Sequence, residues 1–138
     1  GLNFAYYEGD WDALPDFSKL TPKKTGKCGG FDIGKRERED GFAFKFTGFL
    51  KIAEKGTYAL NTASDDGSRL WIGDALVVDN DGSHAMIERR GVVRLKAGKH
   101  PIRVEWIEGN GAEGLKVSIA GPGVDKKEIP ATMLFQRR

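Results

Sequence analysis

Between Gly41 and Ile52 the chain reads GFAFKFTGFLKI, and this run limits the fold more than any other. Successive side chains of an extended backbone point to opposite faces, so Phe42, Phe44 and Phe46 share one side and Ala43, Lys45 and Thr47 the other. Three phenylalanines at a period of two need an apolar layer to cover them, which calls for a sheet packed on a core. Gly48 interrupts the alternation and is expected to mark a bulge.

The rest of the chain continues in short alternating pieces. Leu2 to Glu8 reads as a first strand. Trp11 to Leu20 reads as an irregular turn or one helical turn, and the Gly- and Lys-rich stretch Thr21 to Gly30 as a surface loop. Phe31, Asp32 and Ile33 form a short edge segment before the mixed charges of Lys35 to Asp40, a solvated connection. After a turn at Ala53 to Gly56, Tyr58 and Leu60 point inward from the next strand. Arg69 to Ile72 and Leu76 to Val78 flank a turn at Gly73-Asp74. Ala85 to Arg90 and Gly91 to Lys96 are expected as two short strands. A hairpin turn at Lys96 to His100 then leads into Pro101 to Ile107. Glu108 to Gly114 is a loop, Leu115, Val117 and Ile119 return to the core, and a tail from Ile129 to Phe135 packs back. Nineteen glycines between short strands, without a parallel βαβ rhythm, imply an all-β fold. The expected form is an antiparallel β-sandwich or a barrel-like variant, with long loops at one rim.

At 138 residues the chain is expected to be one domain, spanning 1–138. Its 22 basic and 20 acidic residues leave +2, no electrostatic footprint for nucleic acid. No apolar run in these residues is long enough to span a bilayer, no stretch of them reads as a signal peptide, and an excised or mature piece is expected. Cys28 is the lone cysteine, so no intrachain disulfide forms, and with His84 and His100 it makes a poor zinc set. Nucleophile-elbow, zinc-protease, phosphate-loop and dinucleotide fingerprints are all missing. Asp66 and Glu108 on facing loops could be posed as a glycosidase pair, but nothing points to a deep cleft, and a non-enzyme is expected.

The stretch SDDGSRLWIGDALVVDNDGSH, from Ser64 to His84, holds two acidic turns separated by paired strands. Adjacent acids on a regular strand would diverge, so Asp65 and Asp66 can aim together only where the backbone is irregular. Two readings stay open for this pair. One is a site for a hard cation or a polyol; the other is a turn in which the aspartate caps backbone amides. Asp79-Asn80-Asp81-Gly82 lacks the glutamate that a helix-flanked calcium loop carries twelve residues in, where Arg90 stands, so it reads as a turn with positive φ near Gly82. His84 is expected to hydrogen-bond within its loop. Among the tryptophans, Trp106 belongs to the core, Trp71 faces away from it, and Trp11 is the one most open to a sugar face.

These motifs, followed by PIRVEWIEGNGAEGLKVSIAGPG and IPATMLF, resemble the PA-fourteen domain family, and the likeness runs from Phe4-Ala5-Tyr6-Tyr7 to the C-terminus. In the family's fungal lectins the corresponding acid pair is joined by a cis peptide, and both carboxylates bind one Ca²⁺ that chelates sugar hydroxyls. The resemblance therefore implies Asp65 and Asp66 as ligands. An asparagine on a second loop completes the fungal site; here Glu108 takes that place, with Asn110 two residues on, and Gly111-Ala112 replace the aromatic. The implied function is glycan binding at the loop rim through Asp65, Asp66, Glu108, Asn110 and Trp11, with Ca²⁺ on Asp65, Asp66 and Glu108. The implied setting is extracytoplasmic, in a larger secreted parent beside a glycoside hydrolase domain. The competing expectation is a structural or docking domain that packs on a catalytic neighbour and binds neither sugar nor metal alone.

Overall fold

The computed structural model describes residues 1–31, 33–109 and 114–136. Its strands run β1 (Leu2–Glu8), β2 (Lys24–Cys28), β3 (Phe42–Ile52), β4 (Gly56–Asp65), β5 (Ser68–Ile72), β6 (Ala75–Asn80), β7 (Ile87–Leu95), β8 (Gly98–Glu108), β9 (Gly114–Gly121), β10 (Val124–Glu128) and β11 (Leu134–Phe135). One sheet has the order β2-β1-β3-β8-β5-β6, with β11 added on β3; the other has the order β10-β9-β4-β7. Every pairing is antiparallel, and the two sheets form a sandwich that does not close into a barrel.

The phenylalanine alternation does what its period dictates. Phe42, Phe44 and Phe46 are fully buried beside Trp106, Val104, Leu60 and Leu70. Phe44 and Phe46 stack at 5.2 Å, and Phe42 meets Trp106 edge-on at 5.2 Å. Burying an aromatic of this size contributes about 1.5–3 kcal/mol each, so these rings dominate the cohesion of the sandwich. A second, smaller cluster lies on the outer face of the larger sheet. There the segment after β1 lays Phe17 against Tyr7, Ala43 and Ile107, with Trp11, Leu14 and Leu20 around them. A single 3-10 turn, Phe17–Lys19, is its regular part, capped by Asp16 through the Ser18 N–H.

Several expectations are corrected. The lysine-rich stretch taken as loop contains β2, which pairs with β1 in register Leu2 to Cys28. Of the expected edge segment, Asp32 lies outside the described residues, and a 3-10 turn spans Ile33–Lys35. Gly48 is no bulge, because β3 and β8 pair without a shift from Phe42–Glu108 to Ile52–Gly98. It is glycine because a Cβ would lie 2.6 Å from the Phe135 carbonyl oxygen and 2.7 Å from Leu2. The two strands expected around Gly91 are one, β7, and a side chain at Gly91 would collide with the Val77 carbonyl where β6 crosses β7. The strand β10 after the Gly121–Gly123 turn had no counterpart in the sequence reading.

Candidate functional site

At one end of the sandwich β4 runs out at Asp65 and β8 at Glu108. Three hydrogen bonds hold them together. The Trp106 indole N–H donates to the Asp65 carbonyl oxygen at 3.0 Å, so a core ring fixes the end of β4. The Asp66 N–H then donates to the Ile107 carbonyl at 3.0 Å, and the Ile107 N–H to the Gly67 carbonyl at 2.9 Å. The ladder between β5 and β8 thus continues through Asp66, whose peptide bond to Asp65 is cis. One carboxylate oxygen each from Asp65, Asp66 and Glu108 lies within 4.8 Å of the others.

Backbone amides aim the Asp66 carboxylate. Its Oδ1 accepts the His84 N–H at 2.9 Å and its Oδ2 the Gly109 N–H at 2.8 Å, one from each flanking loop. Asp66 is 6% exposed and Glu108 1%, so the cluster lies at a depth where uncompensated charge is costly. Burial pushes the Asp65 carboxyl above the ordinary carboxylate range; the Asp66 charge adds to this, and His84 pulls the other way. Among the described residues, neither Asp65 nor Asp66 forms an ion pair with a lysine or arginine. Three carboxylates offer hard oxygen donors, a set suited to a hard cation.

The second acidic turn takes a different part. Gly67 packs on it so closely that a Cβ would stand 2.7 Å from Gly82 N and 2.8 Å from Asp81 Oδ1. Asp81 accepts the Leu14 N–H at 2.8 Å, and Asp79 and Asp81 both pair with Arg69. Gly82 has φ +120°, the positive value expected of the turn. Both His84 ring nitrogens lie against carbonyl oxygens, Nδ1 at 2.7 Å from Ala85 and Nε2 at 2.8 Å from Asn80, in keeping with a loop-bonding role.

Asn110 lies outside the described residues, as do Gly111 and Ala112. Trp11 stands at the acid rim, but its ring is half-buried: it packs over Gly9, where a Cβ would meet it at 2.8 Å, and leans on the outer cluster. It therefore offers less open surface than the sequence reading expected. Trp106 is fully buried, and Trp71 faces outward with the Arg103 guanidinium 4.1 Å over its ring, three residues along β5 from the acid end. The backbone donors of His84 and Gly109, and Met86 beside the site, had no signal in the sequence reading. Any residue can supply an N–H, and a methionine belongs to no ligand motif.

The family model of the PA14 domain matches residues 4–133. Anti-sigma-I factor RsgI3 of Acetivibrio thermocellus is 28% identical over 98% of this chain, which spans 21% of that protein. A solved anti-sigma factor domain-containing protein is 26% identical with a TM-score of 0.83, over 99% of this chain and 48% of its own. A PA14 sugar-binding domain from an RTX adhesin superposes with a TM-score of 0.79 at 19% identity, covering 99% of this chain and 98% of the adhesin chain, a likeness of fold. The chain thus spans half or less of the anti-sigma proteins it matches. The family match takes in both sheets and both acidic turns, and this chain belongs to the PA14 domain family.

Proposed function

We propose that this domain binds glycan at the rim formed by the ends of β4 and β8, with a Ca²⁺ ion held by Asp65, Asp66 and Glu108. The observation that carries the reading is the convergence of those three carboxylates within 4.8 Å while two backbone N–H groups hold Asp66. The donor set fits the ion: all oxygen, anionic, and without a lysine or arginine on Asp65 or Asp66 among the described residues. When bound, the ion supplies coordination positions for vicinal hydroxyls of a sugar. The chain's own part is orientation. Trp106 fixes the Asp65 backbone, the His84 and Gly109 amides fix the Asp66 carboxylate, and Trp11 borders the rim. Asn110, which follows Gly109 in sequence, belongs to the proposed ligand set by its place in the chain.

The adhesin domain named as sugar-binding supports the glycan half of this reading. The anti-sigma names carried by longer relatives favour a parent in which glycan binding is reported to a regulatory partner, over one in which it tethers a glycoside hydrolase. In either setting the domain would sit on the extracytoplasmic side, where polysaccharide is met. Among the described residues, no helix is long and apolar enough to cross a membrane. A docking role is the second reading. It rests on an apolar hollow of about 280 Å³ at the opposite end of the sandwich, lined by Ile52, Tyr58, Pro122, Val124 and Met133.

A glycan array probed in Ca²⁺ tests the reading, with wild type beside Asp65→Ala. Binding by the wild type that vanishes in EDTA and in the variant is the expected result. An array silent for both proteins, with tight association to a neighbouring domain, would replace the reading with the docking role.

A further inference from the structure

The large apolar side chains left exposed among the described residues are Leu76, Met86, Ile87 and Val92, and Met86 and Ile87 stand together at the acid rim. Strand order and register place them there. In the order β9-β4-β7, Ser64 pairs with Ile87 on one side and Asp65 with Gly114 on the other. Met86, one residue before Ile87, sends its Cε to within 2.5 Å of where a Cβ on Gly114 would stand. Its thioether therefore crosses β4 at Asp65, from the β7 side to the β9 side, and stays 50% exposed as it does so. A flexible apolar chain lying across the end of β4 and open to solvent costs hydrophobic exposure in the free protein.

We infer that Met86 is the apolar wall of the ligand site, and that the site takes a neutral glycan end presenting a C–H face beside its vicinal hydroxyls. This rests on the glycan reading above and names the ligand class for it. A sugar ring has a polar edge and an apolar face. The acid cluster addresses the edge and leaves the face to be matched. Trp11 is half-buried against other groups, whereas the unbranched thioether of Met86 adapts to irregular apolar contours. Three carboxylates around one divalent cation leave the site net negative, which disfavours uronic or sulfated sugars by like-charge repulsion.

Gly114 gives an independent handle on the wall. Its φ is not in the positive range, so alanine fits its backbone, and the added Cβ displaces the flexible end of Met86 while every acid stays in place. The experiment takes the tightest neutral glycan from the array and titrates it calorimetrically, in saturating Ca²⁺, into wild type, Met86→Ala, Met86→Leu and Gly114→Ala. Ca²⁺ is titrated separately. Met86→Ala and Gly114→Ala should each weaken glycan binding about five- to tenfold, and Met86→Leu should stay within about twofold. All should bind Ca²⁺ within about twofold of wild type. A Met86→Ala protein that binds glycan as tightly as wild type overturns the inference and leaves the site reading standing. Array hits confined to carboxylated or sulfated glycans overturn the ligand class. A wild type that binds Ca²⁺ but no glycan, or neither, overturns the site reading and the wall with it.

Discussion

The two acidic turns of this molecule are alike in composition and unlike in electrostatics. Asp79 and Asp81 are neutralised from within: Arg69 lies 3.0 Å from Asp79 and 3.4 Å from Asp81, and Asp81 also accepts the Leu14 N–H. Asp65 and Asp66 converge with Glu108, and among the described residues no lysine or arginine pairs with either of the two aspartates. The Asp79-Asp81 turn is complete as a structural joint. The Asp65-Asp66 turn places its carboxylates where uncompensated charge is costly, the feature on which the proposed cation site rests. Acid count alone therefore says little; the two turns differ in whether one of the chain's own arginines pairs with them.

Exchanging one carboxylate in each turn should separate them most clearly. Asp66→Asn should lower Ca²⁺ affinity by about 100-fold or more, whereas Asp79→Asn should leave it within about twofold; calorimetric titration of both measures the contrast. Next comes the contact that joins the turns. Gly67→Ala puts a Cβ into the Gly82 backbone and should destabilise the domain by about 2–3 kcal/mol in urea unfolding, while weakening Ca²⁺ binding. The internal pair itself is partly exposed, so Asp79→Ala should cost no more than about 1 kcal/mol in the same assay.

A smaller effect concerns Glu105, which flanks Arg69 across the strand pair and is 9% exposed. Burial holds its carboxyl above the ordinary range, against the pull of Arg103, Lys45 and Arg69. The folded state then holds that proton more tightly than the unfolded chain does. The group's contribution is therefore full below the unfolded carboxylate pKa and is lost as pH rises through the raised folded value. Glu105→Gln should accordingly raise the Tm at pH 7 relative to wild type and give no gain at pH 4, as thermal denaturation at the two pH values would show.

What the sequence revealed, and what it hid, follow from the same physics. The Phe42-Phe44-Phe46 alternation was legible because a period of two over a buried face leaves few alternatives. The strand at Lys24–Cys28 was not, because its partner β1 supplies the order and the residues before Cys28 are lysine, threonine and glycine, which read as loop. Gly48 and Gly91 looked like interruptions, whereas each is a place where another segment's backbone comes too close for a Cβ. At the site, the adjacency of Asp65 and Asp66 was plain, and Glu108 followed from the family resemblance. The amides of His84 and Gly109 that aim Asp66 were invisible, since a backbone donor leaves no trace in residue identity. Met86 was invisible for another reason: its place over Asp65 comes from three-strand register, which no local pattern encodes.

The most direct test of the central claim, that the Asp65, Asp66 and Glu108 cluster is a cation site, is Ca²⁺ titration of the wild-type chain by calorimetry, paired with thermal unfolding in Ca²⁺ and in EDTA. One ion per chain should bind, with a stability gain of about 2.7 kcal/mol at 100 times the Kd, seen as a Tm several degrees higher in Ca²⁺. No binding heat together with identical Tm values in Ca²⁺ and EDTA would contradict it.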